Sequence, residues 1–236
     1  MRRIVPLLLA ALLALFLAGC SSSDHDNTNS PSTIPKTSTP SSTVSEPTAA
    51  NGGDPSVSPT DDASKPPEGS KEAALIEAAK SVVEVLRDRD TGSLTDWIDP
   101  ELGLRFSPYS RIDKAKDQLF QAGRLPDFKD AQKLTWGTAD GSGEPIELTF
   151  RDYYDKFVYD QDFAEAPSVS VNAIKAKGTV AFNGTEVYPG ASFVEFYFPG
   201  FDESVEGMDW EHLVLVFVPS GEDWKLVSIA HGQWTT

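Results

Sequence analysis

Hydrophobic positions fall into three regimes along this 236-residue chain. Ile4 to Ala18 is apolar throughout, interrupted only by Pro6. The next fifty positions carry almost no large apolar side chain. From Lys71 onward apolar residues return with the periods of regular secondary structure.

Leu75, Ala79, Val82 and Leu86, with Ile76 and Val83 beside them, predict a helix over 71–89. Ser70 is placed to cap it, and Arg87 and Arg89 favour the dipole at its C-terminal end. Thr91-Gly92 is expected to end it. Ser93 with Asp96 marks a second short helix, Leu94 to Ile98, stopped by Asp99-Pro100. Arg105 to Tyr109 reads as extended chain and turn, and Asp113 to Ala122 as a modest helix closed by Gly123. Lys133 to Thr138 reads as a strand, followed by the turn 140–143. Thr149 is placed to cap another helix, on which Phe150, Tyr153, Tyr154, Phe157 and Val158 share a face.

Strands dominate the remainder. Ser168 to Ile174 alternates, and Asn183-Gly184 between Thr179–Phe182 and Thr185–Tyr188 signals a hairpin. In Ala191 to Phe198, Val194, Phe196 and Phe198 share one face, and Phe193, Glu195 and Tyr197 the other. Glu211–Val218 and Trp224–His231 predict a final hairpin rich in β-branched and aromatic residues. Helices early and strands late predict one α+β domain over 71–236. Its N-terminal helices are expected on one face of a curved antiparallel sheet.

Composition explains the empty middle. Of residues 21–70, 28 of 50 are Ser, Thr or Pro, and Leu, Phe, Tyr and Trp are absent. Such a stretch cannot offset its ordering entropy by burial, so 20–70 is expected to be a disordered tether. Charge narrows the partners. The chain carries 36 acidic and 20 basic residues, and 71–236 holds 29 and 16 of them, net −13. That excludes the basic patches that nucleic-acid binding needs, and it opposes contact with anionic headgroups.

Arg2 and Arg3, the apolar run and Leu17-Ala18-Gly19-Cys20 form a short secretory signal over 1–19. The last four residues resemble the bacterial lipobox. The resemblance implies cleavage after Gly19, a covalent diacylglycerol on Cys20 and often N-acylation (a palmitate-type chain). It places the chain on the outer face of the cytoplasmic membrane. Two or more acyl chains anchor stably where one does not. Cys20 is the only cysteine, so disulfides and thiol chemistry are not expected. No cofactor is expected beyond the lipid.

Three stretches, 105–109, 136–143 and Gly207-Met208-Asp209-Trp210 through to 231–235, resemble a family of uncharacterised lipoproteins from Gram-positive spore-formers. That likeness implies no activity. An N-terminal helix followed by a sheet ending in a long hairpin, Trp224-Lys225-Leu226-Val227-Ser228-Ile229, resembles the NTF2-like cone fold. That fold houses enzymes, binding modules and spacers alike.

His212 and His231 sit on the two strands of the last hairpin. If Pro219 pairs with Trp224, the imidazoles lie opposite one another, with Asp209 or Glu211 near enough to complete a metal or acid–base set. If Val218 pairs with Trp224, they point to opposite faces. Asp160 and Asp162 belong to an acidic cluster that offers oxygen ligands for calcium. Trp210 and Tyr154 are candidates for an aromatic ligand platform, and Arg105 with Tyr109 for an anion contact. The chain contains no Gly-x-Ser-x-Gly, His-Glu-x-x-His, P-loop or dinucleotide motif. These features point to a membrane-anchored, non-catalytic envelope module that binds cell-wall or envelope-protein partners. The alternatives are a hydrolase-like pocket enzyme using His231 with an acid, and a structural or sporulation-related envelope protein.

Overall fold

The computed structural model describes residues 69–235. The signal segment, Cys20 and the tether up to residue 68 lie outside the described residues.

Helix α1 (Lys71–Arg87) opens the fold, and Ser70 Oγ accepts the Ala73 N–H at 3.0 Å as the N-cap. Its apolar stripe, Leu75 to Leu86, is buried. Helix α2 (Thr91–Trp97) begins earlier than the sequence predicts. Asp90, not Ser93, is its N-cap, accepting the Ser93 N–H at 3.0 Å, so Thr91-Gly92 starts a helix rather than ending one. Strand β1 (Leu104–Ser107) follows. The expected helix over 113–122 is absent: its C-terminal part is strand β2 (Gln118–Phe120), hydrogen-bonded to β1. Leu104 and Phe106 give that segment a paired partner, and pairing outweighs its weak helical pattern.

Strands β3 (Leu134–Thr138) and β4 (Pro145–Leu148) form a separate two-stranded sheet. Helix α3 (Phe150–Phe157) is capped by Thr149, whose Oγ1 accepts the Asp152 N–H at 3.1 Å. Strand β5 (Ser168–Val171) ends at Asn172, which has φ 52°. The hairpin expected around Asn183-Gly184 does not form. Gly184–Val187 is the short helix α4 instead. The Asn183 carboxamide is diverted to the backbone of Ile112, accepting its N–H at 2.8 Å and donating to its carbonyl at 3.1 Å. Strands β6 (Ser192–Phe198), β7 (Glu211–Ser220) and β8 (Asp223–Gln233) complete the chain.

The main sheet runs β2-β1-β8-β7-β6-β5. This corrects the expected curved antiparallel cone. The sheet is open, with β2 and β5 as separate edges, and it is mixed, because β1 runs parallel to β8 with Arg105 beside Ser228. All the elements from β2 to β7 lie between β1 and β8 in the chain, a long connection that permits the parallel pairing a tight hairpin cannot. The architecture is therefore α+β with a mixed open sheet.

Both faces of that sheet are buried. Leu213, Leu215, Phe217, Val194 and Phe196 pack with α1 and α3 in the larger core. Val214, Val216, Phe193 and Ala230 face a smaller core, closed by Ile112 and Tyr188. Two-sided burial explains why His212 to Phe217 reads as a nearly continuous apolar run.

Candidate functional site

A bulge in the last hairpin decides where its histidines go. Pro219 pairs with Trp224, the register that would set His212 opposite His231. Between Phe217↔Leu226 and Val216↔Ser228, however, β8 inserts one extra residue, Val227. Beyond it the pairing is displaced by one, so His212 lies beside Gly232 and His231 beside Leu213. A one-residue shift exchanges faces. The two imidazoles therefore belong to different sites on opposite sides of the sheet.

On the smaller-core face, His212 joins Ser110 and Glu195. Its Nδ1 lies 2.7 Å from Glu195 Oε1, and its Nε2 lies 2.7 Å from Ser110 Oγ. Exposure is 0% for Glu195, 1% for His212 and 7% for Ser110. Glu195 projects from the middle of β6 at a position where burial alone would push its carboxyl up. The bond from His212 and the backbone N–H groups of Lys175 (2.6 Å) and Ala176 (3.1 Å) outweigh that and hold it below the usual range. Ser170 Oγ adds a further contact at 3.1 Å. Burial lowers the His212 pKa more than Glu195 raises it, so the ring is neutral near pH 7. An ionised Glu195 can only accept, so Nδ1 carries the proton. Nε2 is left as acceptor for the Ser110 hydroxyl.

Gly232 makes this geometry possible. A Cβ there would collide with His212 Nε2 and Ser110 Oγ and lie 2.6 Å from His212 Cδ2. Trp210 packs edge-on against the His212 ring at 5.4 Å, and Gly178 lets its indole approach. Ser110, Trp210, Gly178, Thr179 and Gly232 line a cavity of about 70 Å³, room for a few waters or a short acyl group.

On the helix face, His231 packs against Phe157 with ring centroids 5.8 Å apart. Its Nε2 lies 3.0 Å from Asp160 Oδ2. One potential ligand atom from each of Asp160, Glu211 and His231 falls within 4.8 Å of the others. Burial, then the negative charge of Asp160, raises the Glu211 pKa.

The remaining candidates are dispersed. Asp209 Oδ2 accepts the N–H groups of Phe201 and Asp202 at 2.9 and 2.7 Å, ordering the loop before β7. Asp162 accepts the Tyr159 hydroxyl at 2.6 Å and makes no cluster with Asp160. Tyr154 is buried against α1, its hydroxyl donating to the Leu86 carbonyl at 2.5 Å. Arg105 is buried too, donating through Nη1 to the Asp117 carbonyl at 2.9 Å and the Lys114 carbonyl at 3.3 Å. Tyr109 accepts the Asp140 N–H at 3.0 Å and borders the Ser110 cavity.

Ser110 and Glu195 escaped the sequence reading. Glu195 carried a signal: it is the one charge in Ser192–Phe198, on an alternation whose two faces are both apolar. Ser110 carried none, since it meets His212 across 102 residues of chain.

The expectation of a non-catalytic module is overturned by these clusters. Two His–carboxylate pairs, a buried one extended to a hydroxyl and a part-buried one extended to a second carboxylate, are the equipment of acid–base or ligand chemistry. Among the described residues no helix is long and apolar enough to cross a membrane. No protein-family model matches the chain, and no curated protein does. A solved structure titled as a variant of Rd1NTF2_05 shows a weak resemblance, 12% identical over 66% of this chain and 95% of that one, at a TM-score of 0.25.

Proposed function

We propose that the chain is a hydrolase-like pocket enzyme acting by acyl transfer. The observation that carries this reading is the relay Ser110–His212–Glu195, with both contacts at 2.7 Å. Nucleophile, base and orienting acid stand in the order and within the reach that nucleophilic catalysis requires. Ser110 Oγ attacks the carbonyl carbon of an ester or amide, and its proton passes to His212 Nε2. Collapse of the tetrahedral adduct expels the alcohol or amine, which takes that proton and leaves acyl-Ser110. Water then attacks the acyl group, gives a proton to His212, and the acid departs as Ser110 recovers its proton. Glu195 keeps the ring in the required tautomer and stabilises the imidazolium that forms. The alternative reading centred on His231 is thereby refined: the acid–base histidine is His212.

The cavity beside Ser110 suits a short acyl group, so the substrate class is a small acyl ester or amide. The lipobox at Cys20 supports a placement on the outer face of the cytoplasmic membrane, which brings acylated envelope components within reach. Turnover of p-nitrophenyl acetate by the full chain tests the reading. Wild type is expected to hydrolyse it above the uncatalysed rate, and Ser110→Ala and His212→Gln are each expected to lose that turnover. A wild type no faster than buffer, or a Ser110→Ala variant as fast as wild type, contradicts it.

A further inference from the structure

The second His–carboxylate cluster lies on the other face of the sheet and plays no part in the relay. We infer that Asp160, Glu211 and His231 form a binding site for one divalent transition cation, Zn²⁺ or Mn²⁺. Asp160 follows α3, Glu211 opens β7 and His231 lies near the end of β8, so three segments converge on one point. Their potential ligand atoms lie within 4.8 Å of one another. A cation with ligand bonds of roughly 2.0–2.2 Å closes such a set with small side-chain movements.

The hydrogen bonding of the cluster is incomplete in the way a cation would remedy. Asp160 Oδ1, Glu211 Oε2 and His231 Nδ1 are all buried, and none has a partner among the described residues. Buried polar atoms are almost always satisfied, and the two orphaned carboxylate oxygens are ones a shared cation would engage, while His231 turns its Nε2 toward Asp160. Nor does the cluster contain a permanent positive charge: two carboxylates meet one imidazole, with Asp209 adding further negative potential at Glu211. His231 itself is fully buried, so its ring is fixed in place before any ligand arrives.

The donor set chooses the ion. An imidazole beside two carboxylates suits Zn²⁺ or Mn²⁺, whereas Ca²⁺ and Mg²⁺ prefer six or more oxygens. The bound ion would tie the end of α3 to β7 and β8. Glu211 and His212 are neighbours on β7 but project to opposite faces, so this site and the Ser110 relay stand on independent observations.

Isothermal titration of chelator-stripped full chain with ZnCl₂ and MnCl₂, with CaCl₂ as comparison, tests the inference. One ion per chain is expected, with Zn²⁺ or Mn²⁺ at least tenfold tighter than Ca²⁺. Asp160→Asn and Glu211→Gln keep side-chain shape, and each is expected to weaken binding at least tenfold with an unchanged circular dichroism spectrum. His231→Ala opens a core position, so the carboxamide variants are the decisive ones. Absence of stoichiometric binding by wild type, equal affinity in both variants, or a preference for Ca²⁺ overturns the inference.

Discussion

Adding one methyl group at Gly232 gives the sharpest probe of the relay. Gly232 does not need glycine for its backbone conformation; it needs glycine for space. In Gly232→Ala the new Cβ falls inside contact distance of both Ser110 Oγ and His212 Nε2, the two atoms whose 2.7 Å bond starts the reaction. Overpacking of this kind costs about 1–3 kcal/mol, and the backbone benefit of alanine over glycine in a strand returns about 0.5–1 kcal/mol. A domain with the ordinary 5–15 kcal/mol of stability therefore stays folded. The activity cost is larger, because displacing a reacting group by about 1 Å costs on the order of 100-fold. Urea titration followed by circular dichroism is expected to show a loss of no more than about 2.5 kcal/mol by that arithmetic. p-Nitrophenyl acetate turnover is expected to fall about 100-fold or more. Turnover within threefold of wild type in the folded variant refutes the reasoning, since the hydroxyl and imidazole could not then be the reacting pair.

Three further outcomes follow from the same geometry. Glu195→Gln should lower turnover by roughly 10³–10⁴-fold, because an amide in place of the carboxylate leaves Nδ1–H without its ionised acceptor; steady-state kinetics on folded variant checks it. Burial raises the Asp117 pKa to about 6, against hydrogen bonds from Ser107 and Asp113 that favour its charged form. The native state therefore holds a proton there that the unfolded chain releases above its normal carboxyl pKa of about 4, so this group's stabilisation fades as pH rises from about 4 to about 6. Urea midpoints at pH 4.5 and 7 should show a smaller fall with pH in Asp117→Asn than in wild type. Ser70→Ala should cost about 1 kcal/mol by removing the cap of α1, with turnover unchanged.

What the sequence revealed, and what it hid, follows from the range of the interactions. Caps and local periods were legible: Ser70 and Thr149 cap the helices they were expected to cap. The faces of β6 follow from side-chain alternation, and the existence of the β7–β8 hairpin from the density of β-branched and aromatic residues on either side of its turn. Competition between local and distant partners was not legible. Asn183-Gly184 has the composition of a hairpin turn, yet its carboxamide is spent on Ile112, 71 residues away. Asp113 to Ala122 lost its helix to pairing with β1, and β1 joined β8 in parallel, which turned the expected antiparallel cone into an open mixed sheet. The site was hidden for the same reason. Val227 shifts the register by one residue and separates two histidines that a regular hairpin would have brought together. His212 and Glu195 then meet across the neighbouring strands β7 and β6, and Ser110 joins them from 102 residues away.

The central claim is that Ser110 is a nucleophile activated by His212. Its most direct test is mass analysis of the full chain after exposure to a fluorophosphonate, which phosphonylates activated serines with loss of fluoride. The account predicts a single adduct on the peptide containing Ser110, absent in His212→Gln and prevented by prior denaturation. An unmodified Ser110 in native wild type, or equal labelling of native and denatured chain, contradicts it.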